Sequence, residues 1–256
     1  MLSKKIVKYI QSLSHKKLRD EENRFIAEGP KIVTEFLTQR NFECAILCAD
    51  DKWLSENKNL IEKNSPHDIY ETDEASLQKI SFLKTPNKVL GVFIKKPNAA
   101  PLHITNKLSL MLDDMQDPGN MGTIIRIADW FGIENIICSN NCVDCYNPKV
   151  VQSTMGSLAR VNVYYTSLAD FMNDNKKINV YAASLDGVPV NELKNISEGI
   201  IVIGNESKGI SNEIMNNATQ KITIPKYGKA ESLNAAVAAG IILGSLSSTS
   251  SQREGN

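Results

Sequence analysis

The 256 residues carry no excess of charge of either sign: 29 Lys plus Arg stand against 29 Asp plus Glu. That excludes a nucleic-acid binder working through bulk charge, so any surface for a polyanion must come from local clustering. No apolar run is long enough to span a membrane. The start, MLSKKIVKYIQSL, lacks the long apolar core and small-residue cleavage site of a signal peptide, so a cytoplasmic location is expected. The five cysteines are an odd number in a fairly large chain, which argues against a disulfide framework. Neither GxGxxG nor GxxxxGK[ST] occurs, leaving nucleoside-triphosphate chemistry without support. His15, His67 and His103 are scattered, so no metal site is expected. No internal repeat is visible.

What is present is the composition of a globular protein, 42% hydrophobic and 23% charged. In residues 1–96, Ile6, Val7 and Ile10 share one face of a short helix ringed by Lys4, Lys5 and Lys8. Residues 28–39 predict a second helix, with Ile32, Val33, Phe36 and Leu37 at helical spacing. CAILCA (44–49) and VLGVFIK (89–95) predict strands, and 51–63 a helix. The segment 97–107, with two prolines nearby and no periodicity, reads as a linker. Beyond it, 108–114, 134–138, 161–165, 178–185, 199–205 and 221–225 are apolar runs separated mostly by helical stretches. Buried strands alternating with helices predict an α/β fold with a parallel sheet over 108–246. The tail 247–256 is polar and is expected to be disordered.

Three segments carry candidate chemistry. In DDMQDPGNMGTIIRIADWFGI (113–133) a strand ends at Asp113 and Asp114, a turn follows at Asp117-Pro118-Gly119-Asn120, and a helix runs to a stop at Gly132. Ligands of such sheets sit at the carboxyl ends of strands, which places Asn120 and Arg126 near that rim. Alternatively Asn120 only caps a helix and Arg126 is surface charge. In IVIGNESKGIS (201–211) a buried strand enters a polar loop holding Gly204, Asn205, Glu206 and Lys208, before a helix capped by Ser211. In ITIPKYGKAESLNAAVAAGIILGSL (222–246) a strand ends at Pro225, and Ser232 opens and caps a helix rich in Ala and Gly.

Each segment alone is a plain strand–turn–helix. In this order, DPGNMGTIIR, IGNESKG and IPKYGKAESLNAAVAAG resemble the three motifs of the SpoU, or TrmH-like, RNA ribose 2′-O-methyltransferases of the SPOUT superfamily. RFIAEGPKIVTEFL (24–37) resembles the start of the small substrate-binding domain, similar to ribosomal protein L30e, that many members carry. The resemblance implies an L30e-like α/β domain over 1–96 and a SPOUT domain with a deep trefoil knot over 108–246. It implies a homodimer whose active site is completed near the dimer interface. It implies S-adenosylmethionine held by main-chain groups at Gly204, Ile224 and Leu233, with Asn205 and Pro225 beside them. Its catalytic positions fall on Asn120, Arg126, Glu206, Ser232 and Asn234. The reaction so implied is attack of a ribose 2′-oxygen on the methyl carbon of a sulfonium, with a thioether leaving. A guanidinium is a poor proton acceptor, so Arg126 is read as a phosphate clamp that also stabilises developing alkoxide. Ribosomal RNA is the favoured substrate and transfer RNA the second choice. One departure stands at PKVVQSTMGSLARV (148–161), where Gln152 replaces a usual Arg and Ser153-Thr154 a usual Ala-Ser.

Two other readings of the residues compete with this one. CSNNCVDC (138–145) has the C-x₃-C-x₂-C spacing of cluster-binding radical S-adenosylmethionine enzymes. The plainer reading makes Cys138 a strand end and Cys142 and Cys145 half-buried loop residues. A non-catalytic RNA binder would use the basic run Lys4, Lys5, Lys8, Lys16, Lys17 and Arg19, a run that a solvated helix face explains equally well. Retention of Asn120, Arg126, Glu206, Ser232 and Asn234 counts against it. Trp53 and Trp130 are expected to pack in or at the edge of the core in preference to serving as base-stacking platforms, a role open to either.

Overall fold

The computed structural model describes residues 2–98, 104–193 and 196–251, with side chains through 246. The chain forms two compact units. The first comprises Met1–Pro97 with Asp144–Arg160, and the second Asn98–Val143 with Val161–Asn256. The segment 144–160 thus packs with the first unit, although in sequence it lies between strands of the second.

In the first unit, α1 (Lys4–Ser12) is capped by Ser3, whose hydroxyl accepts from Ile6 N. Ile10 and Leu13 are buried in a core that Ile6 and Val7 also touch, as the apolar face predicts. α2 (Lys16–Glu21) carries Arg19, which is 1% exposed. Its guanidinium donates to Asp144 Oδ2 at 2.7 and 3.0 Å and to the carbonyls of Leu13 and Ser14. Arg19 is therefore not part of a solvent-facing basic run. β1 (Arg24–Glu28) leads through Gly29 at φ +100° into α3 (Pro30–Gln39), whose Ile32, Val33, Phe36 and Leu37 are all buried. β2 (Cys44–Ala49) is buried throughout. The helix predicted over 51–63 is broken into α4 (Asp51–Glu56) and α5 (Lys58–Asn64). Asn57 sits between them with its side-chain amide folded back on Trp53 O, the competition with backbone bonding that makes Asn a poor helix-interior residue. β3 (Asp68–Glu71), α6 (Glu74–Ile80) and β4 (Val89–Ile94) complete a sheet of order β1-β4-β2-β3, antiparallel except for β2 with β3.

In the second unit β5 (Leu108–Leu112), α7 (Pro118–Trp130) and β6 (Asn135–Ser139) come first. α8 (Pro148–Ser153), of the first unit, intervenes before β7 (Asn162–Thr166). Then come α9 (Leu168–Asp174), β8 (Val180–Pro189), β9 (Gly199–Ile203), α10 (Asn212–Asn216), β10 (Gln220–Thr223) and α11 (Ala235–Ser251). Among the described residues the sheet has the order β10-β8-β9-β5-β6-β7, and every pairing is parallel. The α/β class and the parallel sheet expected over 108–246 are both present. α11 continues to Ser251, so its last residues belong to the tail expected to be disordered. Residues 252–256 lie outside the described set, as do His103 and part of the linker.

Candidate active site at the carboxyl edge of the second sheet

Because the sheet is all parallel, the carboxyl ends of β5, β9 and β10 share one edge, and each is followed by one of the three motif segments. After β5, Asp113 takes Ile203 O onto its N–H and remains buried, its Oδ2 accepting from Ser211 N at 2.8 Å. Asp114 adopts φ +55°. Asp117 then caps α7, its Oδ1 accepting from Asn120 N at 2.7 Å, with Pro118 in the first turn. The helix cap is therefore Asp117, which frees the Asn120 side chain. α7 ends as predicted, at Gly132 with φ +69°.

After β9 the loop doubles back on itself. Asn205 and Gly209 exchange backbone hydrogen bonds at 3.1 and 2.9 Å. Asn205 Oδ1 accepts from Ser207 N and Lys208 N, while its Nδ2 donates to Asp114 O at 2.8 Å. Gly204 is required by close approach: a Cβ there would lie 2.3 Å from the carbonyl carbon of Gly209 and 2.4 Å from Ile210 N. Lys208 Nζ bonds Asp114 Oδ2 at 2.8 Å. That bond, helped by the Gln116 amide, holds the Asp114 carboxyl below the usual carboxylate range, and Asp114 in turn pushes the Lys208 ammonium up. Ser211 stands at the start of α10 but its hydroxyl makes no capping bond.

After β10, residues 224–234 form an irregular loop, exposed from Lys226 onward. The expected cap at Ser232 is corrected by the structure. Asn234 performs it, with Oδ1 accepting from Ala236 N at 3.0 Å and Val237 N at 3.2 Å. Ser232 is exposed and stands outside the helix. The first turn needs an acceptor one residue before Ala235, and Ser232 is two residues too early.

One connection joins all three segments. Asn234 Nδ2 donates to Asn120 Oδ1 at 2.8 Å, and Asn120 Nδ2 donates to Glu206 Oε1 at 2.5 Å. Three side chains separated by 86 and 114 residues in sequence form a single chain of hydrogen bonds, running from the α11 N-terminus to a carboxylate. Of the five expected catalytic residues, the structure brings together Asn120, Glu206 and Asn234. Arg126 is exposed on α7 with no hydrogen bond or ion pair among the described residues, and Ser232 likewise stands apart. The sequence marks Asp113 as a strand end and Asp117 as a turn residue, but not as acceptors for the Ser211 and Asn120 N–H groups. For Asp113 the signal is the Asp113-Asp114 pair closing an apolar strand, since such acids stay near a core only when backbone N–H groups bond them.

Gly204, Ile224, Leu233 and Pro225 lie in the two loops: β10 ends at Thr223, short of the strand end expected at Pro225, and Leu233 precedes α11 instead of standing in the helix expected to open at Ser232. Ile224 and Pro225 are half-buried and Leu233 is exposed. Among the described residues, 224–233 engage in no backbone–backbone hydrogen bond. The edge thus offers uncommitted main-chain donors and acceptors beside apolar side chains, a donor set that fits an adenosyl-type ligand.

The cysteine run follows the plainer expectation in placing Cys138 at the end of β6, but differs from it in burial. Cys142 and Cys145 are fully buried, not half-buried. Cys142 Sγ accepts from Met115 N at 3.2 Å and donates to Leu112 O at 3.3 Å, bracing the turn after β5. Its hydrogen bond with Cys138 lowers the thiol against the upward push of burial. Among the described residues no group of three or more His, Cys, Asp or Glu could hold a metal ion. Thr154 is buried, its hydroxyl donating to Val151 O at 2.7 Å. Trp53 is buried as expected, but Trp130 is 84% exposed, against expectation.

Comparison with known proteins accounts for this arrangement. The profile of the SpoU rRNA methylase family matches residues 107–244, and that of the MRM3-like substrate binding domain matches 4–91. The chain is 29% identical to the 23S rRNA (guanosine(2553)-2′-O)-methyltransferase RlmP of Bacillus subtilis, over 93% of this chain and 94% of that one. A TrmH-family structure from Porphyromonas gingivalis superimposes with a TM-score of 0.85 at 37% identity, covering 96% of this chain and 98% of that one. An AdoMet-bound rRNA methyltransferase from Sinorhizobium meliloti does so at 0.86 and 30%, covering 96% and 95%. The chain belongs to the SpoU rRNA methylase family.

Proposed function

We propose that this protein transfers a methyl group from S-adenosylmethionine to a ribose 2′-hydroxyl of ribosomal RNA. The observation that carries the reading is the Asn234–Asn120–Glu206 chain, which ties the three family motifs into one site at the sheet's carboxyl edge. The relatives named above as rRNA methyltransferases support the substrate class. When bound, S-adenosylmethionine supplies a methyl group already activated on a sulfonium. The protein's own task is then to place the 2′-oxygen in line and to stabilise the charge it develops. Gly204, Asn205, Ile224, Pro225 and Leu233 would hold the methyl donor through the main chain. Asn120, Glu206 and Asn234 would fix the loops against each other, with Ser232 at the mouth.

Arg126 supports a homodimer. It projects from α7 with no hydrogen bond or ion pair among the described residues, on the helix that also exposes Trp130 one turn later. α11, packed on α7, exposes Val237 and Ile241. An apolar surface of this kind marks an interface. A second copy would cover these side chains and bring Arg126 to the partner's site, where it clamps the phosphate beside the target ribose. In this reading residues 1–96 recognise the RNA, 108–246 catalyse, and α11, lying against α7 and β9, closes the trefoil knot. No helix among the described residues is long and apolar enough to cross a membrane, and a cytoplasmic location is part of this proposal.

The deciding experiment maps 2′-O-methyl positions in cellular RNA with and without the gene. One ribosomal position is expected to lose its methyl group, to regain it with the wild-type gene, and not to regain it with Arg126→Ala. Loss confined to transfer RNA would move the substrate class, and no lost position would overturn the reading.

A further inference from the structure

Among the described residues two aromatic side chains are left almost wholly in solvent: Trp130 at 84% and Tyr227 at 95%. Their surroundings differ in kind. Trp130 lies on α7, which packs against α11, and α11 itself exposes the apolar Val237 and Ile241. Tyr227 lies in the 224–234 loop between Lys226 and Lys229, both exposed and neither in an ion pair among the described residues. Glu231 is the only acid of that loop. Gly228 follows, and a Cβ built there would meet nothing within 4 Å, so the chain beside the ring is open. A ring with cations on either side suits a flat, apolar, anion-bearing partner, which describes a nucleotide of single-stranded RNA. It does not suit the apolar surface of a second protein chain.

The position adds to the chemistry. Tyr227 is two residues from Pro225 and seven from Asn234, at the edge where Asn120 and Glu206 meet. We infer that Tyr227 is a substrate-positioning residue: its ring stacks on an unpaired base at or next to the target nucleotide, and Lys226 and Lys229 hold the flanking phosphates. This rests on the proposed reading of the site as an RNA methyltransferase. Stacking is tolerant of base identity, so the contact would select an unpaired, splayed nucleotide rather than a sequence. It would thereby steer the enzyme to loops and bulges, where a ribose can be presented in line.

The test uses the full-length protein, saturating S-adenosylmethionine, and an unmodified transcript of the large-subunit rRNA from the same organism. Tyr227→Ala is expected to weaken RNA binding and raise KM for RNA by about tenfold. Tyr227→Phe and Tyr227→Trp should stay near wild type. Affinity for S-adenosylmethionine, thermal midpoint and oligomeric state should not move in any of the three, because the Tyr227 side chain is 95% exposed and contributes little packing among the described residues. Lys226→Gln and Lys229→Gln should each flatten the slope of log K against log salt by about 0.7, whereas Tyr227→Ala leaves the slope alone. Wild-type RNA affinity in Tyr227→Ala overturns the inference while leaving the methyltransferase reading intact, as does equal damage from Phe and Ala, or a shift in oligomeric state. A wild-type protein that binds S-adenosylmethionine but methylates no RNA overturns both.

Discussion

Asn234 uses both ends of one amide: the oxygen caps α11 and the nitrogen holds Asn120. The two roles can be separated. Asn234→Ser keeps a capping oxygen but not the reach to Asn120, so stability is expected to stay within about 0.5 kcal/mol while methylation falls at least tenfold. Thermal unfolding and a tritium-transfer assay on the same preparation check both halves. Asn120→Asp is expected to be as inactive while folded, because it sets a second carboxylate against Glu206 and removes the donor between them. Activity near wild type in either variant would show that the hydrogen-bond chain is not needed. Much of this was legible in the sequence as residue identities and order. The partners were not, because side-chain pairs 86 and 114 residues apart depend on how the strands are ordered in the sheet. Ser232 was misread as the cap for a related reason: Ser and Asn are both good caps, and the helix start decides between them.

At the level of elements, the loop after β9 is held from three sides. Asn205 bonds Asp114 O, Asp113 takes Ser211 N, and Lys208 meets the Asp114 carboxylate. Gly204→Ala forces a methyl into the backbone of Gly209 and Ile210. A stability loss of about 1–3 kcal/mol is expected, together with loss of S-adenosylmethionine binding by calorimetry. The Asp114–Lys208 contact has a defined pH window. A lowered carboxylate value means its contribution is present above the unfolded value and lost as pH falls through the folded one; the raised Lys208 value means the contact is lost again as pH rises through it. The amide signals of Gln116 and Lys208 should titrate with an acid midpoint below 3.8. In the first unit, burial pushes Cys44 and Cys48 up to about 12, so both should resist iodoacetamide at pH 8 in the native protein and react once it is unfolded. Long apolar strands such as β2, β5 and β9 were readable from composition alone. β1 and β3 were not picked out, and β3 has only half-buried and exposed residues to offer as a pattern.

At the level of the molecule, the homodimer is the proposal most open to measurement. Trp130→Glu places a charge in the surface that a second copy would bury, and light scattering is expected to report a monomer with little methylation. A wild-type protein that is monomeric at micromolar concentration would remove the proposed route of Arg126 to its site. Within the first unit, Arg19→Ala leaves Asp144 near-buried without its cation and is expected to cost about 3–5 kcal/mol by denaturant unfolding. The ion pair matters beyond its energy because Asp144 opens the Asp144–Arg160 segment that the first unit borrows from later in the chain. The ring of Tyr146 in that segment lies 4.7 Å from Phe25, and Asn41 bonds Ala159 O. On a ribosome, therefore, the N-terminal unit cannot finish folding when its own 97 residues have emerged. It must wait, with Arg19 and Phe25 unsatisfied, until β5, α7 and β6 have also been made. Synthesis order thus makes folding of the first unit contingent on the second having begun, and a chain released early at residue 97 should be a substrate for chaperones rather than a domain.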